Sequence, residues 1–409
     1  MTLLIERPAE VKRINSTKKW VLVYGRRKTG KSFLVENFIS YNDYFFVKRD
    51  RTIISKRDER IISYESLKEL LKRGMEEDKT IVVDEFHRLG DDFQDFLHAA
   101  RKGGKLILIS STLFLSKKIM GSGSPLLGFF AENPVWLIEL KDTVTALKKY
   151  HPTKKALLEL AVLLREPLAL EYFEEKTAPD DLFVKVLMGS ARTVPALVGE
   201  VFIEEERGIS SAYEGILRAI ANGNVISGEI SSYLFSRGLV KKDDPSLIQQ
   251  YLENLIRFGI IRRIKVLDRN RFTYKHSSPL VRLFYYADEK YNISERPANP
   301  PELERIVNEI LPKIMEDQLR EFVAANLGLD EAVAQGRDYD VDACLLKFKK
   351  PAIALEIKWK NRIDEEDVRK AEKNLDTVNA DEKWLLVPDK NEVRIKTKLK
   401  IVDALDFIR

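Results

Sequence analysis

The sequence contains one cysteine and four histidines in 409 residues. A single cysteine, Cys344, excludes an intramolecular disulfide and any zinc site built from cysteines. The four histidines lie far apart and lack the spacing of metal ligands: His87, His98, His151 and His276. The sequence therefore predicts neither a disulfide framework nor a histidine-rich metal centre.

Long apolar runs are also missing. The longest, around Leu106–Leu115, is far shorter than the ~20 residues that a membrane-spanning helix needs. The N-terminal residues lack the apolar stretch of a signal peptide. We therefore expect a cytoplasmic protein with no membrane partner.

No charge of one sign predominates, since 69 Lys and Arg face 64 Asp and Glu and leave a net charge of +5. This balance excludes a chain that is basic throughout, although one basic patch remains compatible with it. Hydrophobic residues make up 44% of the sequence, which is enough for buried cores. At roughly 150 residues per domain, the length predicts two to three domains.

A glycine-rich segment lies between a predicted buried strand, Trp20–Tyr24, and an amphipathic helix. It reads Gly25-Arg26-Arg27-Lys28-Thr29-Gly30-Lys31-Ser32, a complete G-x-x-x-x-G-K-S motif in the required strand–loop–helix context. Its glycines allow backbone N–H groups and the helix N-terminus to face a phosphate. We expect these residues to bind a nucleoside triphosphate, with Lys31 on the β- and γ-phosphates and Ser32 on Mg²⁺. The alternative is a chance glycine turn with a surface lysine.

A second predicted strand, beginning at Thr80, ends in two adjacent carboxylates, Asp84 and Glu85. In the P-loop fold such a strand ends at the same edge of the sheet as the phosphate loop. Asp84 is expected to hold Mg²⁺ through water and Glu85 to orient or deprotonate the attacking water. Two carboxylates at a strand end can also be a solvated turn, but beside a complete phosphate loop they indicate an NTPase.

Further strands are predicted over Tyr44–Val47, Lys105–Ile109 and Val135–Leu140. Strands that alternate with helices over the first 140 residues predict a parallel, helix-flanked sheet of the α/β class.

The motifs resemble those of the archaeal ATPase family, a P-loop group related to AAA+ and STAND ATPases. The matching segments are Tyr24–Ser32, Val83–Phe86 with Arg88 and Leu89, Ser110-Ser111, Ser124–Gly128, and a worn N-terminal motif at Glu6, Arg7 and Glu10. Phe129 stands where the family usually has an arginine. The resemblance implies a P-loop ATPase that uses ATP and Mg²⁺.

The resemblance also implies sensor residues. In such ATPases a polar residue at the end of the third strand reports hydrolysis, and Ser111 or Thr112 matches it. Arg192 and Pro195 match a lid turn in which the proline packs near adenine and the arginine senses the γ-phosphate. An ordinary loop at the first position, and a helix-starting proline with a surface arginine at the second, remain alternatives.

Residues 142–208 have helical periodicity and are predicted to form a helical lid. Three helices and a hairpin then follow in the order of a winged helix-turn-helix. The helices are predicted over Ser211–Ala221, Ser227–Phe235 and Ser246–Phe258, and the strands over Ile260–Leu267 and Arg271–Tyr274.

The third of these helices is weakly basic and carries Glu253, whereas the hairpin is rich in positive charge. Its basic residues are Arg262, Arg263, Lys265, Arg269, Arg271 and Lys275. A basic hairpin can straddle a phosphate backbone. A solvated face or a docking surface for another domain explains the same residues, so both interpretations stay open.

The C-terminal residues predict a small α/β domain. A helix over Glu302–Gly328, interrupted near Pro312, precedes two alternating strands, a helix over Asp364–Leu375 and a strand over Trp384–Val387. Asp342 lies on the first alternating strand, and Glu356 and Lys358 share one face of the second.

This order of elements and this residue set are those of PD-(D/E)XK nucleases. Members of the archaeal ATPase family that the motifs resemble often carry such a domain. Asp342 and Glu356 would bind Mg²⁺, and Lys358 would activate water. An exposed charged strand face is the alternative. The acidic residue usual in the first helix is displaced: Leu319-Arg320 occupies its place, with Glu316 or Glu321 as substitutes. A decayed nuclease that only binds therefore competes with an active one.

Four segments are expected: an ATPase core over 1–141, a lid over 142–208, a winged helix-turn-helix over 209–296 and a nuclease-like domain over 297–409. The leading hypothesis is an ATP-hydrolysing molecular switch coupled to a nucleic-acid-associated module. The alternatives are an ATP-gated, Mg²⁺-dependent endonuclease and an ATP-dependent scaffold that binds protein. The expected partners are DNA or RNA, a protein partner, or a second copy of the chain.

Overall fold

The computed structural model describes residues 3–100, 103–111, 119, 121, 123–150, 153–204, 211–296, 298–336 and 339–408, with side chains outside 200–204. These residues form two compact units. The first unit contains the described residues of Glu6–Ile138 and Leu197–Gly208. The second contains those of Met1–Ile5, Glu139–Ala196 and Ile209–Arg409.

The first unit is a sheet of seven strands covered by helices. Its strands are β1 (Trp20–Tyr24), β2 (Asp43–Val47), β3 (Ile53–Ser55), β4 (Arg60–Ile62), β5 (Thr80–Asp84), β6 (Lys105–Ser110) and β7 (Phe130–Pro134). Its helices are α1 (Pro8–Ser16), α2 (Lys31–Phe38), α3 (Tyr64–Glu76) and α4 (Asp91–Ala99), with a short 3₁₀ turn at Phe86–Arg88. The strand order is β4-β3-β2-β5-β6-β1-β7.

Five of these strands run parallel, and β3 and β4 add an antiparallel edge. Successive side chains of a strand point to opposite faces, so the apolar run of β1 is buried on both sides. Val21 and Val23 pack with Leu34 of α2 on one face, while Leu22 packs with Leu67 and Leu71 of α3 on the other. The predicted α/β fold with a parallel, helix-flanked sheet is confirmed.

The strand predicted over Val135–Leu140 is wrong, because β7 ends at Pro134. The burial of β7 alternates irregularly, with Glu132 exposed and Asn133 buried, so its sequence lacks an apolar run. Phe130 packs against Trp20 at a ring distance of 5.7 Å, and this contact holds β7 beside β1. Val135 follows the strand and donates its backbone N–H to the carbonyl of Tyr24.

The second unit begins with helices and ends in a mixed sheet. Its helices are α5 (Leu140–Leu147), α6 (Lys154–Leu163), α7 (Pro179–Ser190), α8 (Thr193–Glu204, which continues beyond this unit), α9 (Ser211–Ala221), α10 (Ser227–Ser236), α11 (Gln249–Arg257), α12 (Pro279–Tyr291), α13 (Pro300–Leu327) and α14 (Glu365–Leu375). Short 3₁₀ helices lie at Pro167–Tyr172, Pro245–Ile248, Lys390–Glu392 and Ala404–Phe407. Its strands are β8 (Ile261–Val266), β9 (Phe272–His276), β10 (Asp330–Gln335), β11 (Asp340–Lys347), β12 (Lys350–Ile357), β13 (Glu382–Leu386) and β14 (Lys400–Val402).

One continuous sheet joins the β8–β9 hairpin to the C-terminal strands, in the order β14-β13-β12-β11-β10-β8-β9. The junction is a parallel pairing of β8 with β10, in which Leu267 donates its N–H to the carbonyl of Val333 at 2.8 Å. The sheet therefore crosses the boundary expected near residue 297. Helix α14 covers the C-terminal strands through Val368, Ala371 and Leu375.

Helix α13 is continuous over 28 residues, so the interruption expected near Pro312 is wrong. Proline removes one backbone donor and usually kinks a helix. Here apolar residues on both sides of it, including Leu311 and Ile314, are buried. Their packing offsets the local cost of the proline.

No single described helix is both long and apolar enough to cross a membrane. One pair of consecutive helical segments, Pro179–Ser190 and Thr193–Gly199, reaches that length and composition only when taken together, and the pair is bent by 61°.

Candidate functional site: a phosphate loop and a carboxylate–lysine cluster

The glycine-rich loop connects β1 to α2 and depends on two glycines. Gly25 has φ 155° and Gly30 has φ 83°, conformations that side-chain-bearing residues rarely adopt. A Cβ atom on Gly25 would lie 2.1 Å from the backbone oxygen of Val135, so no larger residue fits there. The backbone of the loop therefore runs directly into the N-terminus of α2. A glycine-rich loop followed by a helix N-terminus is the arrangement that binds phosphate.

Internal hydrogen bonds hold this loop. Lys31 donates from Nζ to the carbonyls of Gly25 at 2.9 Å and Arg26 at 2.7 Å, and Thr29 Oγ1 donates to the same Arg26 carbonyl. Lys31 and Arg26 are buried, whereas Lys28 is exposed and adopts a left-handed φ of 62°. The lysine ammonium thus lies at the loop.

Arg7 braces the loop from the N-terminal segment. Its guanidinium pairs with Glu10 at 2.8 Å and donates to the carbonyl of Thr29 at 2.9 Å and to that of Trp136 at 3.0 Å. Both Arg7 and Glu10 are buried. The degenerate N-terminal motif, which includes Arg7 and Glu10, therefore contacts the phosphate loop.

Ser32 and Asp84 meet at the carboxyl edge of the sheet. Ser32 Oγ donates to Asp84 Oδ2 at 2.7 Å, and the hydroxyl of Tyr44, on β2, donates to the same oxygen at 2.7 Å. Asp84 is only 1% exposed. Burial raises its pKa, and the hydrogen bonds from Ser32 and Tyr44 oppose that rise.

A hydroxyl and a carboxylate oxygen at hydrogen-bonding distance are a donor set that suits Mg²⁺. The residues present therefore fit a Mg²⁺–nucleotide complex at this edge.

Glu85 follows Asp84 with a left-handed φ of 55° and is surrounded by partners. Its Oε2 atom lies 2.9 Å from Arg88 Nη2, 3.1 Å from Ser111 Oγ and 3.4 Å from His87 Nε2. Arg88 also donates to the carbonyl of Val47 at 2.6 Å, which ties Glu85 to the end of β2. The strand-end carboxylate is thus held in one position rather than solvated.

The sensor candidates lie in different places. Ser111 contacts Glu85 at the end of β6. Thr112 lies outside the described residues. Arg192 is exposed just before α8, and Pro195 is half-buried at the third position of that helix.

A second cluster lies in the C-terminal sheet, where β11 and β12 bring Asp342, Glu356 and Lys358 together. Lys358 Nζ pairs with Glu356 Oε1 at 2.6 Å, and Asn374 donates to the same oxygen at 3.3 Å. Asp342 Oδ2 accepts the backbone N–H of Ile357 at 2.8 Å. The other Glu356 oxygen, Oε2, is buried with no hydrogen-bond partner among the described residues.

The electrostatics of this cluster indicate an excess of negative charge. Burial, followed by the charges of Glu316 and Glu356, raises the pKa of Asp342 well above its ordinary value. Burial also raises the pKa of Glu356, against the opposing effect of Lys358. Burial alone would lower the pKa of Lys358, but its contact with Glu356 raises it overall.

Of the two α13 carboxylates considered as substitutes, Glu316 is the one that affects Asp342 and Glu356. Glu316 lies near enough to Asp342 and Glu356 to raise the pKa of both. Glu321 instead contacts Arg165 at 3.3 Å. Arg320, which is 1% exposed, lies behind the cluster and donates to the Asp342 carbonyl at 2.9 Å and to Asp317 at 2.8 Å.

Within the described ranges, no group of three or more His, Cys, Asp or Glu side chains is arranged to hold a metal ion. The C-terminal cluster thus offers two carboxylates and a lysine at close range, with Glu316 at the periphery. The unpartnered Oε2 of Glu356 is the one feature of the cluster that fits a cation, which would then have fewer than three acidic side chains as ligands.

The basic hairpin is partly used inside the second unit. Arg262 pairs with Glu331 and donates to the Asp317 carbonyl, and Lys275 lies 3.5 Å from Asp317. Arg263 lies 3.5 Å from Glu253. Lys265 and Arg269 are exposed, and Arg271 is half-buried. Arg262 and Lys275 therefore face protein, whereas Arg263, Lys265 and Arg269 remain exposed.

Sequence reasoning missed several residues of both sites. Tyr44 and Asn374 belong to no motif, and only the pairing of strands and the packing of α14 bring them to Asp84 and Glu356. Arg88 carried a usable signal, because it follows the two carboxylates at i+3 from Glu85 on a short helical turn.

Comparison with known proteins agrees with this geometry. Residues 17–126 match the model of an AAA domain. The chain is 24% identical over 415 residues to an uncharacterised protein of Methanocaldococcus jannaschii, covering 91% of each.

Among solved structures, the Walker-type ATPase of Pyrococcus abyssi matches with a TM-score of 0.53 at 20% identity, over 69% of this chain and 96% of that one. The Aeropyrum pernix ORC1 protein, solved with DNA, matches at a TM-score of 0.32 and 13% identity over 72% and 96%, a similarity too low to bear on function. The chain thus contains an AAA-type domain with the fold of a P-loop ATPase.

Proposed function

We propose that this protein binds and hydrolyses ATP with Mg²⁺ at Gly25–Ser32, Asp84 and Glu85. The observation that carries the proposal is the 2.7 Å contact between Ser32 and Asp84, because it places hydroxyl and carboxylate at one point beside the phosphate loop. An AAA-domain match over residues 17–126 supports it.

Each residue has a role that follows from its place. The loop N–H groups and Lys31 hold the phosphates, and Lys31 exchanges its loop carbonyl partners for phosphate oxygens of the same polarity. Ser32 and Asp84 hold Mg²⁺, which when bound neutralises charge on the phosphates. Glu85 orients the attacking water, and Ser111 fixes the Glu85 carboxylate. Pro195 and Arg192 belong to the lid in this proposal.

The test is Lys31→Ala, with Lys19→Ala as the matched control. Lys19 is exposed at the opposite end of β1, so its loss leaves the loop unchanged. We expect Lys31→Ala to lower ATP turnover roughly hundredfold or more. Turnover that survives Lys31→Ala at the wild-type level would contradict the proposal.

We further propose that ATP turnover drives a switch in which the lid transmits the nucleotide state to two output segments. These are a winged helix-turn-helix over residues 209–296 and a nuclease-like domain over 297–409. Helices α9 to α11 and the β8–β9 hairpin occur in the order of that module. Arg262, which pairs with Glu331, and Lys275, which lies near Asp317, favour a wing that docks on the C-terminal segment. The exposed Lys265 and Arg269 remain available for contact with DNA.

A second function is supported by the carboxylate–lysine cluster: Mg²⁺-dependent cleavage of a nucleic acid strand. The buried Oε2 of Glu356 is the observation that favours it, since this oxygen has no donor among the described residues and can serve as a ligand to a cation. Asp342 and Glu356 would hold Mg²⁺, Lys358 would activate water, and Glu316 would add a carboxylate.

Glu316 and Glu321 allow a sharp test because they lie on one helix, α13, with different neighbours. Mg²⁺-dependent cleavage of single- and double-stranded DNA and RNA should disappear in Lys358→Ala and fall in Glu316→Gln. Glu321→Gln should retain it, because Glu321 faces Arg165. Binding without cleavage in the wild type would identify a decayed nuclease, and no nucleic-acid binding even at low salt would favour an ATP-dependent scaffold.

A further inference from the structure

The tip of the β11–β12 hairpin, Lys347–Lys350, takes no part in either site. Lys347 pairs with Lys350, so the turn consists of two residues, Phe348 and Lys349. Phe348 is 90% exposed, the largest exposed fraction among the large hydrophobic side chains in the described part of the chain. Its ring therefore projects into solvent at the end of the hairpin.

The backbone of the tip is strained by its sequence. Phe348 has φ 49° and Lys349 has φ 68°, both left-handed. A two-residue hairpin turn with two positive φ values is ordinarily made by Asn-Gly or Asp-Gly, because bulky side chains disfavour this region. Phe348 therefore occupies a strained backbone position while its ring stays exposed, a combination that suggests a role for the ring in binding.

The tip is also strongly basic. Lys347, Lys349 and Lys350 are exposed, and none makes an ion pair with a carboxylate of the described chain. The strand register places one acid nearby, Asp330 opposite Leu346. Three positive charges thus surround one projecting ring, which is the chemistry that binds nucleotides: phosphates to the lysines and a base to the aromatic face.

We propose that the Lys347–Lys350 tip holds a single-stranded nucleic acid, with Phe348 stacked on an unpaired base and the lysines on flanking phosphates. The inference rests on the proposed nucleic-acid function and adds the tip as a second place of contact with the strand, besides the carboxylate–lysine cluster. Asp342 precedes Lys347 by five positions on β11, or about 17 Å at 3.3 Å per residue. A stacked strand spans that distance in about five nucleotides and an unstacked strand in fewer, so one bound strand is long enough to reach both the tip and the carboxylates.

The test measures fluorescence anisotropy of a fluorescein-labelled 20-nucleotide oligo-dT with the full chain, in EDTA and without nucleotide. Under these conditions neither ATP turnover nor cleavage takes place. Phe348→Ala should weaken binding about tenfold. Lys349→Ala/Lys350→Ala should reduce the slope of log affinity against log salt by about 1.4. The matched variant Arg369→Ala/Lys370→Ala removes two exposed charges from α14 and should keep the wild-type slope.

A turn replacement separates binding from folding. Phe348→Asn/Lys349→Gly installs the residues that the backbone prefers, so the melting temperature should rise by a few degrees while oligo-dT affinity falls. A damaged fold would instead lower both.

Two outcomes would overturn the proposal. One is oligo-dT affinity in Phe348→Ala equal to that of the wild type. The other is binding to phosphatidylserine vesicles that requires Phe348, with no oligo-dT binding that depends on it. If only the proposal for the tip is wrong, the wild-type chain still binds oligo-dT. If the proposed nucleic-acid function itself is wrong, the wild-type chain does not bind oligo-dT at all.

Discussion

Loss of the Tyr44 hydroxyl is expected to weaken Mg²⁺-dependent ATP binding, although Tyr44 belongs to no nucleotide motif. Asp84 Oδ2 accepts two hydrogen bonds of 2.7 Å, from Ser32 and from Tyr44. Ser32 is the proposed Mg²⁺ ligand, so once Mg²⁺ is bound its hydroxyl also contacts the metal. The hydroxyl of Tyr44 then remains as the donor that orients the Asp84 carboxylate. Tyr44→Phe removes this donor and keeps the ring.

The expected magnitude follows from the burial of the contact. Tyr44 and Asp84 are each 1% exposed, so water does not replace the missing donor. A hydrogen bond to a buried charged group contributes about 1.5–3 kcal/mol, which corresponds to roughly 10- to 150-fold in affinity. The pKa of Asp84 is already raised by burial, and loss of a donor raises it further. Protons then compete with Mg²⁺ more strongly, so the defect should be larger at pH 6 than at pH 8.

The assay is a Mg²⁺ titration of fluorescent ATP-analogue binding at both pH values. Tyr41→Phe is the matched control: its ring packs on Tyr44 at 5.4 Å, but it is half-exposed and its hydroxyl does not reach Asp84. Tyr44→Phe should shift the Mg²⁺ midpoint upward about tenfold or more, and Tyr41→Phe should leave it in place. Equal midpoints for the two variants, or a Tyr44→Phe defect that does not depend on pH, would refute the reasoning.

Two further predictions concern stability and are checked by urea denaturation. Arg88→Ala removes one partner of a half-buried ion pair and should destabilise the first unit by about 3 kcal/mol. Arg73→Ala is the control, because its partner Glu77 is exposed and its removal should change the stability little. Similar losses of stability in both variants would contradict the role of burial. His276 is buried, and burial followed by the charge of Arg282 lowers its pKa to about 3. The unfolded chain therefore binds a proton below pH 6.5 that the folded chain does not, so stability falls as pH drops, by about 2 kcal/mol between pH 7 and pH 5. His276→Phe should remove that part of the pH dependence, and an unchanged slope would show that His276 is not the group responsible.

Much of the first unit could be predicted because its signals are local. The strand Trp20–Tyr24, the glycine loop and the helix after it are consecutive in sequence, and each residue type has a direct physical reason to be there. β5 was predictable for the same reason, since its apolar run ends in two carboxylates. β7 was not, because Glu132 and Asn133 interrupt the pattern and contacts with β1 hold the strand.

In the second unit, the helices and strands were largely predictable, but their arrangement was not. The parallel pairing of β8 with β10 joins segments far apart in the chain, and no local pattern encodes it. This pairing, with the Arg262–Glu331 contact, turns part of a basic hairpin inward. The basic pattern left a DNA-binding wing and a docking surface equally open, and the fold uses part of it for docking.

By itself, the sequence determined the phosphate loop, the two strand-end carboxylates and the Asp, Glu-x-Lys set, because motif chemistry depends on the spacing of a few neighbouring residues. Tertiary structure decided which distant side chains complete them. Tyr44 reaches Asp84 because β2 pairs with β5, and Glu316 rather than Glu321 approaches Asp342 because of the face that α13 presents to the sheet. Strand order and helix packing depend on the burial of whole apolar faces. The free energy of this burial is a sum over residues throughout each unit, so no short segment of sequence encodes it.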